Sequence, residues 1–439
     1  MKSSSADRVC DSAFLRSLSC LLSGAFVVVL GAALGAAGCS SDGTAEPPAM
    51  MMPTGPGPTT MPTPYTPAYP PVAPQVLAGT GGVLPAPRVV PMFFSGDRFQ
   101  TQLTAFTQAY VAGSASWQVL KEYGVGNGTT APAVVLTQTP ATAMTDMDVQ
   151  AFLQARVQDS TITVDSQSIA VLFFPATVTI TNNGSVSCRD FAGYHGVTTL
   201  PGNARLAYAV IPRCGLAPLG ALTFALSHEL AEAATDPVLT AYSDLGDPYS
   251  LWALNYGGVE IGDLCQNLAD PAFNERNVGV VARLWSNAAA AAYNNPCLPA
   301  APGPAFFSIP VHTELQTVQL NGKLRSIEQV PVAAGQSVTI EVRLLSTTQP
   351  SPTWLVTPLE VPLPNSTGAV NAPSLNFAWD EAPGKASASG QNGQTLHLKI
   401  TANAAGPLGY TSFRLISIGP TAAGGQTETD WVGFVIVTK

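Results

Sequence analysis

Hydrophobic positions follow one rhythm before residue 300 and another after it. Between 78 and 300, apolar runs alternate with helix-spaced stretches. Residues 89–94 read as a strand ended by Ser95-Gly96-Asp97, and Leu103, Phe106, Tyr110, Trp117, Leu120 and Tyr123 predict a helix that Gly124 stops. A second helix is expected from Thr145, where Asp146 and Asp148 suit a helix N-terminus, onward through Phe152 and Val157. Residues 169–174, ended by Pro175, read as a buried strand, and 206–211 as another. Strands interleaved with helices predict an α/β or α+β domain over 78–300.

After a linker at 299–304 the pattern becomes alternation of apolar with polar residues. It is carried by 338–344, 395–400, 413–418 and 431–437, each bounded by Gly, Pro or Asn. No comparable helix is visible, so 305–439 is expected to form an all-β immunoglobulin-like sandwich.

The N-terminal 77 residues fit neither rhythm. Lys2, Arg8 and Arg16 precede an apolar run over 21–38, the anatomy of an export signal, and Ala36-Ala37-Gly38-Cys39 resembles the bacterial lipobox, whose Cys is lipidated. The run is also just long enough for a plain transmembrane anchor. Residues 39–77, rich in Pro, Thr, Ala, Gly and Met, are expected to be an extended tether that holds the domains off the membrane. The expected setting is therefore exported and lipid-anchored, at the outer membrane or cell surface, because Ser40 rather than Asp follows Cys39.

Only 11% of residues are charged and the formal net charge is −9, so no basic face is available for nucleic acid. Of seven cysteines, Cys10 and Cys20 leave with the signal and Cys39 carries lipid. Cys188, Cys214, Cys265 and Cys297 remain, and an exported domain would pair them as two disulfides. Three pairings are open, with sequence neighbours preferred. Their spacing does not match a zinc ribbon.

Candidate chemistry concentrates in Ser227-His228-Glu229-Leu230-Ala231-Glu232, which follows the apolar stretch 221–226. Three ionisable groups on an apolar helix need compensation by a metal, a counter-charge or exposure in a cleft. His228 and Glu232 are four residues apart and lie within roughly 40° on one helix face. The arrangement copies the zinc-protease pattern His-Glu-x-x-His with Glu232 in place of the second His, a substitution zinc accepts. Glu229 would then serve as general base. A third ligand is sought among Asp236, Glu260 and Asp263, with His195 a further ligand or an oxyanion stabiliser. The bland alternative is a metal-free hydrogen-bond network. Asp236-Pro237 also reads as a helix end, and Asp244, Asp247 and Tyr249 as a solvated loop ahead of a calcium site. His312 and His397 read as ordinary strand residues. A Ser nucleophile elbow, a phosphate-binding Gly loop and a dinucleotide fingerprint are all missing, which disfavours hydride and phosphoryl transfer.

Several segments, taken in order, resemble the plant EXORDIUM and phosphate-induced protein family and its bacterial relatives over about 86–298. They are Phe173-Phe174-Pro175, Cys188 to Gly-Tyr-His195, the stretch 206–214, His228-Glu229-Leu230-Ala231-Glu232 through Thr235-Asp236-Pro237, Glu260-Ile261-Gly262-Asp263-Leu264-Cys265, and Trp285-Ser286-Asn287. The resemblance implies an extracellular or wall location and carries over His195, His228, Glu229, Glu232, Asp236, Glu260 and Asp263, without a secure reaction. The lipobox, the tether and the added sandwich depart from the plant proteins. The reading that follows is a zinc-dependent, peptidase-like hydrolase acting on extracellular polymers. Its alternative is a non-catalytic surface module that recognises protein or wall material.

Overall fold

The computed structural model describes residues 74–438, apart from 248, 253–257, 267, 269, 293, 301–302, 321–322, 349, 362–373, 404–409 and 422–424. The signal segment, Cys39 and most of the tether lie outside the described residues. The packed body starts a few residues before 78. Val76 is buried, and its backbone N–H and C=O pair with the Asn287 side chain at 2.8 Å each.

The first domain is organised by a mixed sheet. Strand β1 (Arg88–Phe94) pairs in parallel with β2 (Thr129–Thr130) and β3 (Val134–Leu136). A short β4 (Ala143–Thr145) leads away to a side ribbon. β1 pairs in parallel on its other side with β5 (Ser168–Phe174). The side ribbon continues through β6 (Thr179–Asn182) and β7 (Ser185–Val186), and β8 (Tyr194–Thr199) then forms the antiparallel edge of the main sheet beside β9 (Arg205–Pro212), which is parallel to β5.

Every residue of β5 is buried, as expected of a parallel strand covered on both faces. Val89, Phe93, Val171, Phe173 and Ile211 point to one face, where helices α1 (Gln100–Val111) and α3 (Leu219–Thr235) pack. Met92, Phe94, Leu172, Phe174 and Val210 point to the other, against Val149 and Leu153 of α2 (Asp146–Gln158). Helix α2 starts where expected, because the Thr145 hydroxyl and the Asp148 carboxylate cap each other's backbone N–H. The first predicted helix is instead two. α1 ends at Val111, Gly113 turns the chain at φ 128°, and a 3-10 turn covers Trp117–Tyr123 before the left-handed Gly124. The break at 112–116 was hidden because apolar spacing resumes almost in phase beyond it.

Small ribbons complete this domain: β10 (Ala272–Glu275) with β11 (Gly279–Ala282), and β12 (Leu284–Trp285) with β13 (Cys297–Leu298). Disulfides join Cys188 to Cys214 and Cys265 to Cys297, the sequence-neighbour pairing.

Residues from 306 onward form two sheets packed face to face. One is β14 (Phe306–Pro310), β17 (Ser337–Ser346), β21 (Thr395–Ala402) and β19 (Leu375–Trp379). The other runs β15 (Glu314–Leu320), β16 (Lys323–Ala333), β23 (Gln426–Thr438), β22 (Tyr410–Pro420), β18 (Trp354–Val361) and β20 (Ala388–Gly390). Phe306, Val342, Leu344, Leu398 and Ile400 meet Trp354, Val356, Phe413, Leu415 and Val435 between them. The whole is a multidomain, β-rich protein.

The two units do not keep separate cores. Trp431 of β23 packs edge-on against Trp252 of the first domain at 5.5 Å between ring centroids, with Phe307 at 6.1 Å, inside one continuous apolar cluster. Beside it, Arg325 pairs with Asp244 at 2.6 Å and Asp247 at 3.5 Å, and the Ser326 N–H donates to Asp247 at 2.6 Å. The two acids weighed for calcium therefore clasp the second domain. Trp431→Ala should cost about 3–5 kcal/mol, the usual range for emptying a buried aromatic site. Scanning calorimetry should show both domains losing stability together; an unchanged first-domain transition would contradict the shared core.

Candidate metal centre

Helix α3 is an unusual place for charge, since every residue from 225 to 235 is buried. Ala, Leu and Thr fill its packed faces, and two lateral bonds fix its position. Tyr110 Oη donates to the Ser227 carbonyl at 2.9 Å, and the Ala282 N–H donates to Ser227 Oγ at 2.8 Å. His228, Glu229 and Glu232 are thus held on a rigid rod inside the fold.

Two further segments converge on that rod. Strand β8 delivers His195, whose register opposite Ala209 is set by sheet pairing. The neighbouring Tyr194 hydroxyl donates to Asp146 Oδ1 at 2.7 Å and the Tyr208 hydroxyl at 2.6 Å, which ties β8 and β9 to the start of α2. The third segment runs through Glu260 and Asp263 into a one-turn helix, Asp263–Gln266. It is anchored by the Cys265–Cys297 disulfide and by the Trp285 N–H donating to the Ile261 carbonyl at 2.7 Å.

Six ionisable side chains meet there, and Glu232 is their centre. Its Oε1 lies 3.1 Å from His228 Nε2, which is 3.7 Å from Asp263 Oδ1. Its Oε2 lies 3.5 Å from His195 Nδ1, which is also 3.5 Å from Glu229 Oε2. The other ring nitrogen of His195 faces Glu260 Oε1 at 3.4 Å, and both atoms are buried without a hydrogen-bond partner. A tetrahedral ion with bonds of about 2.0–2.2 Å spaces its ligand atoms about 3.3–3.6 Å apart. The separations here bracket that edge length. A buried His/Glu/Asp group that could hold a metal ion is therefore present, in two overlapping sets: His228, Glu232 and Asp263, and His195, Glu229 and Glu232.

Without a cation the group answers its own charge with protons. Burial alone would lower the His195 and His228 pKa values, but the charges of Glu260 and Glu232, respectively, outweigh it and hold both imidazoles well above their usual value. Burial pushes Glu260 up to about 8, helped by the Glu232 charge. Asp263 rises to about 6 for the same two reasons. Glu232 goes the other way: the His228 and His195 contacts overcome its burial and hold it below the carboxylate range.

Glycines let the segments approach this closely. A Cβ on Gly262 would sit 2.7 Å from His228 Cε1 and Nδ1 and 2.8 Å from Glu232 Oε1. Instead the backbone N–H groups of Gly262 and Asp263 donate to Glu232 Oε1 at 3.1 and 3.2 Å. Gly193 packs in the same way on Glu229, where a Cβ would come within 2.9 Å of Cγ. These glycines escaped the sequence reading, although each stands one or two residues from a candidate ligand. Gly262→Ala should cost about 1–3 kcal/mol by overpacking, and weaken metal retention in a chelator competition. Retention equal to the parent's would contradict this role for Gly262.

Asp236 is not brought to the group. As the residue closing α3, its Oδ1 accepts the N–H groups of Thr240 at 2.7 Å and Ala241 at 2.6 Å, so its helix-end reading describes it. His312 accepts the Phe434 N–H at 3.2 Å, and His397 pairs with Glu381 at 2.7 Å, both in the second domain.

No family model matches the chain, and no curated protein matches it. Solved structures resemble it weakly. Domains 4 and 5 of the S-layer protein SbsC match 33% of this chain and 70% of theirs at 14% identity, with a TM-score of 0.17. The Yersinia pseudotuberculosis adhesin InvE matches 35% and 53% at 14% identity, TM-score 0.16. OgpA from Akkermansia muciniphila matches 81% and 95% at 10% identity, TM-score 0.19.

Proposed function

We propose that this chain is an exported, lipid-anchored, zinc-dependent hydrolase of peptidase type, acting on extracellular protein or wall polymer. The observation that carries the proposal is Glu232, whose two oxygens each face an imidazole nitrogen deep in the first domain, at 3.1 and 3.5 Å. An imidazole among the ligands favours zinc over calcium, which takes oxygen ligands. His228, Glu232 and Asp263 would hold the ion. Zinc bound there would supply Lewis acidity and bring a water's pKa toward about 7. Glu229 would take that water's proton; a carboxylate oxygen of Glu229 and one of Glu232 within 4.8 Å of each other support that role. His195, beside Glu229, would pass the proton onward or stabilise developing negative charge.

The setting agrees with export. Two disulfides suit a periplasmic or extracellular compartment, and no helix among the described residues is long and apolar enough to cross a membrane. Anchoring through Cys39, and kinship with the EXORDIUM family through the ordered motifs, belong to the same proposal.

One observation favours a second reading, a non-catalytic module: the six side chains are only 4–18% exposed. The test is hydrolysis of a mixed peptide library by the chain stripped with chelator and then given zinc. Activity that returns with zinc and is lost in Glu229→Gln, with zinc still held by the His228 set, supports the hydrolase. Zinc binding with no hydrolysis in the parent would overturn it in favour of the module.

A further inference from the structure

The mononuclear reading uses one oxygen of Glu232 and leaves the other facing a complete second ligand set. His228 stands at Oε1 with Asp263 beside it, and His195 at Oε2 with Glu229 beside it. We infer that the first domain holds two divalent cations side by side, with Glu232 bridging them: one among His228, Glu232 and Asp263, the other among His195, Glu229 and Glu232. The inference rests on the zinc reading above and deepens it.

Charge argues for two ions. Glu229, Glu232, Glu260 and Asp263 bring four negative charges when ionised, and neutral imidazoles add none. One divalent ion leaves two of those charges uncompensated in a site from which water is largely excluded; two ions balance all four.

The surroundings of His195 argue for the second ion in particular. A metal-binding imidazole commonly gives its other N–H to a carboxylate that fixes the ring's orientation. With Nδ1 turned to the Glu229–Glu232 set, His195 Nε2 faces Glu260 Oε1 at 3.4 Å, each atom buried and otherwise without a partner. Glu260 thereby becomes an orienting group for His195, which explains a buried acid that the first ligand set does not use. The Gly262 and Asp263 N–H groups play the matching part at Glu232 Oε1.

Two such ions would polarise a substrate carbonyl and lower the pKa of the attacking water, Lewis-acid chemistry that suits acyl hydrolysis. With two ions bound, Glu229 would serve as a ligand of the second rather than as the base beside a single ion, and its loss would still spare the first.

Zinc titration of the purified, chelator-stripped full chain against a competing metal indicator tests this. Two equivalents are expected for the parent and one each for His195→Gln and His228→Gln. One equivalent in the parent, unchanged in His195→Gln, would overturn the second ion and leave the zinc reading standing. No zinc in the parent would overturn both. Because a substitution at His195 can also disturb folding, the unsubstituted chain is loaded with Mn2+ and read by electron paramagnetic resonance. An exchange-coupled pair supports the bridged centre, and isolated-ion signals alone overturn it.

Discussion

Glu232→Gln is expected to abolish zinc stabilisation of the folded chain. Gln keeps the size and the carbonyl acceptor for the Gly262 and Asp263 N–H groups, but loses the charge that two imidazoles share. For the parent, free zinc about a thousandfold above its Kd adds about 4 kcal/mol by mass action. For a domain of this size that is a Tm increase on the order of 10 °C. The variant should show an increase near zero while keeping the parent's near-ultraviolet circular dichroism in chelator. An equal increase in both chains would mean that zinc binds elsewhere.

The second large effect is a pH dependence that reverses with metal. Glu260, held near 8 in the fold against 4.5 normally, and Asp263, near 6 against 3.8, bind their protons more tightly folded than unfolded. Each contributes stability that is complete below the unfolded value and is lost as pH rises through the folded one. The windows are therefore about pH 4.5–8 and 3.8–6. The raised imidazoles extend the same fall above about pH 6.5. Glu232, held low, contributes above pH 4.5 and acts oppositely only in more acid solution. The metal-free chain should therefore lose stability steadily from about pH 5 to 9. Zinc displaces these protons, so its binding strengthens over the same range. Thermal unfolding at about pH 5.5 and 8.5, with chelator or with zinc, should show the gap between the two curves widening at the higher pH. A constant gap would contradict the linkage.

What could be read from the chain beforehand was local. His228 and Glu232 share a face because four residues make about one helical turn, whatever the rest of the protein does. Strand β5 could be located because a parallel strand covered on both sides is apolar throughout. The disulfides joined sequence neighbours. Where the reading fell short, long-range geometry decided. His195 reaches Glu232 only because β8 pairs antiparallel with β9 in one register, and nothing local to Gly-Tyr-His specifies that register. Asp236 stood at a plausible ligand spacing, but Pro237 ends the helix there and the carboxylate turns to cap backbone N–H groups. Asp244 and Asp247 looked like a free loop because their partner, Arg325, lies some 80 residues away in the second domain. A still longer separation hid the shared core: Trp431 reads as a sandwich residue, and only the folded arrangement places it on Trp252.

The most direct measurement is anomalous diffraction at the zinc absorption edge from crystals of the zinc-loaded full chain. The account predicts a peak within bonding distance of His228 Nε2, Glu232 and Asp263. Zinc bound only at other residues, or no peak beside Glu232 in crystals soaked to saturation, would contradict it.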